Sequence, residues 1–80
     1  MISRYIALAL ERAHYEVLED GEGYFGSISE LTGVWANAPT LEACREELKS
    51  VLEDWLLLSL SKRLPIPALD GVDLSVREVA

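Results

Sequence analysis

The chain carries one histidine, His14, and one cysteine, Cys44, and this pair limits the chemistry it can perform alone. A structural zinc site takes four ligands, mostly imidazole and thiolate, so a histidine and cysteine site cannot be assembled within one chain. Any serine nucleophile would have to recruit His14 as its base. His14 opens a strand-like run beside Tyr15 and Glu16, where an exposed or hydrogen-bonded imidazole is the ordinary outcome. Carboxylates are plentiful, but Glu42, Glu46, Glu53 and Asp54 fall opposite the apolar stripe of a helix, where charge is simply solvated. A minimal nuclease or hydrolase would have to draw on Asp20, Glu22 or Glu30. Two-metal chemistry needs carboxylates converging from several strands into one dry site, and the strands here carry mostly Tyr, Val, Ile and Ala. Gly21, Gly23 and Gly26 sit in a hairpin without a helix start behind them, unlike a phosphate-binding loop. The sequence therefore offers no catalytic, cofactor-binding or metal-binding residues, and the expectation is a protein that is not an enzyme.

What remains is contact chemistry. Trp35 and Trp55 are large enough to anchor an interface when exposed; Trp55, on an apolar helix stripe, fits a core better, whereas Trp35, on a short strand among small residues, suits either place equally. Leu57 and Leu58 extend an apolar run past what one helix face needs, while Asp20 and Glu22 place charge at a hairpin tip. These six are the candidate partner or oligomer contacts. The formal net charge is −7, and its distribution is uneven: residues 14–54 hold ten acidic side chains against two basic ones. Such a field repels phosphate backbones and suits basic partners, although negative charge also serves solubility. Seven scattered basic residues, with no cluster longer than Lys62-Arg63, give Tyr24, Phe25 and Trp35 little electrostatic help in stacking on bases. Autonomous nucleic-acid binding is not expected.

The elements that must position these residues are readable from periodicity. Ile2, Tyr5, Ile6, Ala9 and Ala13 recur at helical spacing, giving a first helix over about 3–12. In His14 to Glu19 the residues alternate, Tyr15 and Val17 against His14, Glu16 and Leu18, as a strand requires. Asp20-Gly-Glu-Gly23 supplies a hairpin turn, and Tyr24 to Ser29 is the return strand, in which Gly26 marks either a bulge or room for another group. Thr32-Gly33 turns the chain into a third strand, Val34 to Ala38, closed by Pro39. Thr40 then caps a long helix whose stripe runs Leu41, Cys44, Leu48, Val51, Leu52 and Trp55, with Pro65 as its stop. Between Trp55 and Leu60 apolar residues go almost right round, so its last turns need covering by the first helix or by another subunit. Asp70-Gly71 marks a turn, and alternation over about 72–79 suggests a last strand.

Eighty residues fit one domain over 1–80, and a domain so short buries a modest share of its surface, which makes a homo-oligomer plausible. The lone Cys44 suits a reducing compartment, and no run is long and apolar enough for a signal peptide or a membrane span. A cytoplasmic protein without membrane contact is expected. The fold class is α+β: a small two-layer domain with a three- to four-stranded, mostly antiparallel sheet packed on one long helix, in the order α-β-β-β-α-β.

The ordered set Asp20-Gly-Glu-Gly-Tyr-Phe-Gly26, Ile28-Ser-Glu-Leu-Thr-Gly-Val34, Thr40-Leu-Glu-Ala-Cys-Arg-Glu-Glu-Leu48, Trp55 and Leu64-Pro-Ile-Pro67 resembles the HicB family, the antitoxin half of bacterial toxin–antitoxin pairs. The resemblance covers roughly 15–73. It implies a truncated ribonuclease-H-like sheet without catalytic acids, no cofactor, and a partner that is a small basic RNA-cleaving toxin neutralised by steric occlusion. Two features depart from that pattern. Only thirteen residues, 68–80, follow Pro67, too few for the DNA-binding domain of many full members, and an extra helix precedes the first strand. The alternative is an orphan oligomeric structural or regulatory protein that kept the fold without a toxin.

Overall fold

The computed structural model describes residues 2–74. Helix α1 spans Ile2–Glu11, β1 His14–Val17, β2 Tyr24–Ser27, β3 Trp35–Ala38 and α2 Leu41–Ser61. The three strands form one antiparallel sheet in the order β1-β2-β3. The α+β class and the element order through the long helix agree with the sequence. The expected last strand, about 72–79, lies mostly outside the described residues. Its first residue, Val72, makes only an isolated antiparallel bridge to Leu69 around Asp70-Gly71.

The register fixes which side chains share a face. Tyr15 pairs with Gly26 and Gly26 with Ala36; Val17 pairs with Tyr24 and Tyr24 with Ala38. These residues point to the α2 side of the sheet, where Val17, at the end of β1, is left 74% exposed. Ala36 and Ala38 are small enough for α2 to lie close over β3, and Cys44, Leu48 and Leu52 of α2 are fully buried. Gly26 contains no bulge: it leaves room for Tyr15 and Cys44, since a Cβ there would lie 2.9 Å from the Tyr15 ring and 3.2 Å from Cys44 Sγ. The Cys44 thiol donates to the carbonyls of Tyr24 and Ala36, each at 3.7 Å.

Thr40 caps α2 as its position suggested, its Oγ1 accepting from the Ala43 N–H at 3.1 Å. The helix ends at Ser61, before Pro65 is reached. Arg63 adopts a left-handed conformation (φ 54), and the Leu64 N–H reaches the Ser59 carbonyl while the Arg63 N–H reaches that of Leu60. This is a Schellman stop, built with arginine where glycine is usual.

Helix α1 packs against α2, burying Tyr5 and Ala9. The Tyr5 hydroxyl donates to the Pro67 carbonyl and so fixes the extended segment after α2. Ile28, Leu31 and Val34 between β2 and β3, with Ile66, Leu69 and Val72 further on, complete the core. Asp70 (φ 46) and Gly71 (φ 81) form a tight two-residue turn, the conformation for which Asp-Gly is favoured. No described helix is long and apolar enough to cross a membrane.

Candidate functional site

Two surfaces carry bulky apolar side chains that the fold leaves uncovered. The first is the outer face of the sheet. Register puts His14, Ser27 and Trp35 in one row across it and Glu16, Phe25 and Asn37 in the next. Trp35 is 56% exposed. Its ring stacks on Phe25 with centroids 5.9 Å apart and planes inclined by 27°, a geometry in the favourable offset range for aromatic pairs. Sequence alternation left Trp35 equally suited to core and interface; Ala36 and Ala38 decide the phase by pointing at α2, which sends Trp35 outward. Asn37 is held locally, its Nδ2 donating to the Tyr24 carbonyl at 2.9 Å.

At one end of this face lies the β1–β2 hairpin. The Glu22 N–H closes a turn on the Glu19 carbonyl at 3.2 Å, with Asp20 (φ 58) and Gly21 (φ 69) both left-handed between them. Asp20 is among the few non-glycine residues that accept this conformation readily, so the turn itself accounts for its type. The Leu18 N–H closes the hairpin on the Gly23 carbonyl at 2.8 Å, and a side chain on Gly23 (φ 93) would collide with the Ala38 carbonyl. Asp20 and Glu22 are both exposed. They share a hairpin with Glu16 and Glu19, and no Lys or Arg lies between Ala13 and Cys44.

The second surface is the far end of α2. Leu57 is 67% exposed and Leu58 51% exposed, whereas Leu56 and Ser59 beside them are buried. Helix α1 thus covers one side of these turns and leaves the rest bare. A shallow apolar groove runs between the helices here, lined by Ile2, Ile6, Leu56, Leu57 and Leu60 with Glu53 at its rim. Trp55 is only half-buried and packs against the core. The structure therefore separates the six sequence candidates: Trp35 lies on the outer sheet face in the row of His14 and Ser27, Asp20 and Glu22 lie in the hairpin beyond the opposite end of the strands, and Trp55, Leu57 and Leu58 belong to α2.

The charged cluster that sequence reasoning missed joins three distant segments. Arg12 Nη1 bonds Glu30 Oε2 at 2.7 Å and Arg12 Nη2 bonds Asp70 Oδ1 at 2.6 Å. Separations of 18 and 58 residues give no local signal. The hydrogen bond from Arg12, followed by one from its own backbone N–H, holds the Glu30 carboxyl below its ordinary value. Burial pushes the Cys44 thiol and the Tyr15 hydroxyl up. His14 is exposed at the edge of the outer face, and among the described residues no three His, Cys, Asp or Glu side chains converge as metal ligands.

No curated protein matches the chain. Among solved structures, it is similar to the crystal structure of TTHA0281 from Thermus thermophilus, with 40% sequence identity, a TM-score of 0.87, and coverage of 96% of this chain and 95% of that one. A family model described as UPF0150-like matches residues 4–67. That match includes α1 from its third residue onward, so the N-terminal helix is part of what the family shares and not an addition to it. Over more than half its length, from α1 to the segment held by Tyr5, the chain belongs to the UPF0150-like family.

Proposed function

We propose that this protein is a non-enzymatic, HicB-like antitoxin-type module that acts by binding another protein. Its partner is a small basic RNA-cleaving toxin, and its action is steric occlusion of that toxin's active surface in the cytoplasm. The observation that carries the reading is Trp35: a tryptophan held more than half exposed by the sheet register, on a sheet whose first strand and hairpin carry four carboxylates. A rigid exposed aromatic is the side chain that most often anchors a protein interface. The UPF0150-like match and the HicB resemblance fall on largely the same residues, which supports a shared mode of action.

The test is a growth assay. Any small basic protein encoded beside this chain is expressed from an inducible promoter, with and without the chain. Restored growth and intact RNA in the presence of the chain are the expected result; continued arrest despite soluble, folded chain would contradict the reading. A second reading, an orphan self-associating protein, draws on the bare end of α2 at Leu57 and Leu58. In that case the chain forms a defined oligomer and neutralises nothing.

A further inference from the structure

The outer sheet face and the helix end differ in charge, and the difference tells what each can take. From Ala13 to Cys44 the chain contains six acidic residues and not one Lys or Arg. Four of the six, Glu16, Glu19, Asp20 and Glu22, belong to β1 and its hairpin, and Glu16 stands directly opposite Phe25 on the face that carries the Phe25–Trp35 stack. Neighbouring strands are about 4.8 Å apart. A cation laid over Phe25 therefore has the Glu16 carboxylate one strand away, and the three strands carry no Lys or Arg; His14, on β1, shares the row of Trp35.

The same edge offers main-chain groups. The Ile28 N–H bonds the Val34 carbonyl, which sets the phase of the β2–β3 ladder: Ala36 and Ala38 exchange bonds with β2, and Trp35 and Asn37 turn their N–H and C=O groups away from it. Among the described residues β3 is paired on one side only. An incoming strand at that edge would run beside Trp35.

We propose that the outer face of the sheet, with the open edge of β3, docks an extended arginine- or lysine-bearing segment of another protein. Guanidinium or ammonium groups lie over Trp35 and Phe25, an arrangement stabilised by the ring quadrupole, and the Glu16 carboxylate opposite Phe25 neutralises the nearer of them. Arginine suits this place better than lysine, because its flat group stacks on the rings while its edge bonds a carboxylate. The proposal rests on the protein-binding reading above and adds the surface and the chemistry of the segment it takes.

The probe is a synthetic extended peptide alternating arginine with valine, titrated at low ionic strength into the full-length chain labelled with nitrogen-15. Shift changes confined to residues around His14, Glu16, Phe25, Trp35 and Asn37 are expected, with affinity about tenfold weaker for Trp35→Ala, the loss typical of a central aromatic contact. Glu16→Gln is expected to weaken binding less and to flatten its salt dependence. Both side chains are exposed, so circular dichroism should show an unchanged fold. The same peptide with glutamate in place of arginine should not bind. Shifts centred on Leu57 and Leu58, unchanged affinity for Trp35→Ala, or a self-associated chain that Trp35→Ala dissociates would each overturn the proposal. A basic neighbour protein that binds Trp35→Ala at full strength sinks the surface and leaves the function standing. Peptide shifts on the sheet without any neutralised toxin do the reverse.

Discussion

Tyr15 lays its ring over Gly26 on the next strand, in the volume a side chain at Gly26 would occupy. Cys44 of α2 closes the same space from the helix side. A methyl group there cannot enter without moving the ring or the helix, and overpacking of this kind costs about 1–3 kcal/mol. The gain from replacing glycine in a strand, about 0.5–1 kcal/mol, offsets part of this. Gly26→Ala is therefore expected to be net destabilising. A thermal melt checks it, since roughly 1 kcal/mol moves Tm by about 4–8 °C in so small a domain.

Acid should loosen the clamp at Arg12. Glu30 titrates below the ordinary 4.5 in the folded chain, chiefly through its hydrogen bond from Arg12, so it contributes stability that is fully present above that value. The contribution disappears as pH falls through the lower, folded value. Melting temperatures followed from about pH 6 to about pH 3 should fall for the wild type, and part of that fall should be absent in Glu30→Gln. Because the cluster is exposed, its effect should also shrink as salt is raised.

Buried and bare leucines of α2 should respond in opposite ways to truncation. Leu52 has no exposed surface, and Leu52→Ala should destabilise by about 2–5 kcal/mol. Leu57→Ala and Leu58→Ala should change monomer stability by no more than about 0.5 kcal/mol. If the bare helix end mediates self-association, those two variants instead lower the mass measured by light scattering. Denaturant melts and scattering on the same samples separate the effects.

Cys44 should be chemically silent in the native chain. It is fully buried, its thiol donates to two carbonyls, and burial raises its pKa above the usual 9.0. Thiolate is the reactive form, so a thiol reagent should modify Cys44 only as fast as the domain opens. Labelling rates that track reagent concentration without limit, under conditions where the chain is folded, would show an accessible thiol.

The parts of the fold that sequence made legible are those whose signal is local. The stripe of α2 with Thr40 before it, the Asp-Gly-Glu-Gly hairpin and the Asp70-Gly71 turn each announce themselves within a few residues. The end of α2 did not, because Arg63 takes a left-handed conformation that glycine normally marks, and Pro65 drew attention away. Strand β2 stops at Ser27 and not at Ser29, since past the Ile28–Val34 bond the backbone enters the turn that the Leu31 N–H closes on the Ile28 carbonyl. The Arg12 clamp and the Tyr5–Pro67 bond span 18 to 62 residues, which no periodicity reports. Of the candidate contacts, type and chemistry were visible in the sequence; their division between the sheet and the helix end required knowing which face of β3 meets α2.

Protein binding through Trp35 is tested most directly by calorimetric titration of the purified chain with any small basic protein encoded beside it. Wild type and Trp35→Ala are compared in about 0.1 M salt, where charged groups within about 10 Å still interact. The account predicts a saturable complex whose affinity falls about tenfold or more on loss of the indole. No complex with the wild type, or equal affinity for both chains, would contradict it.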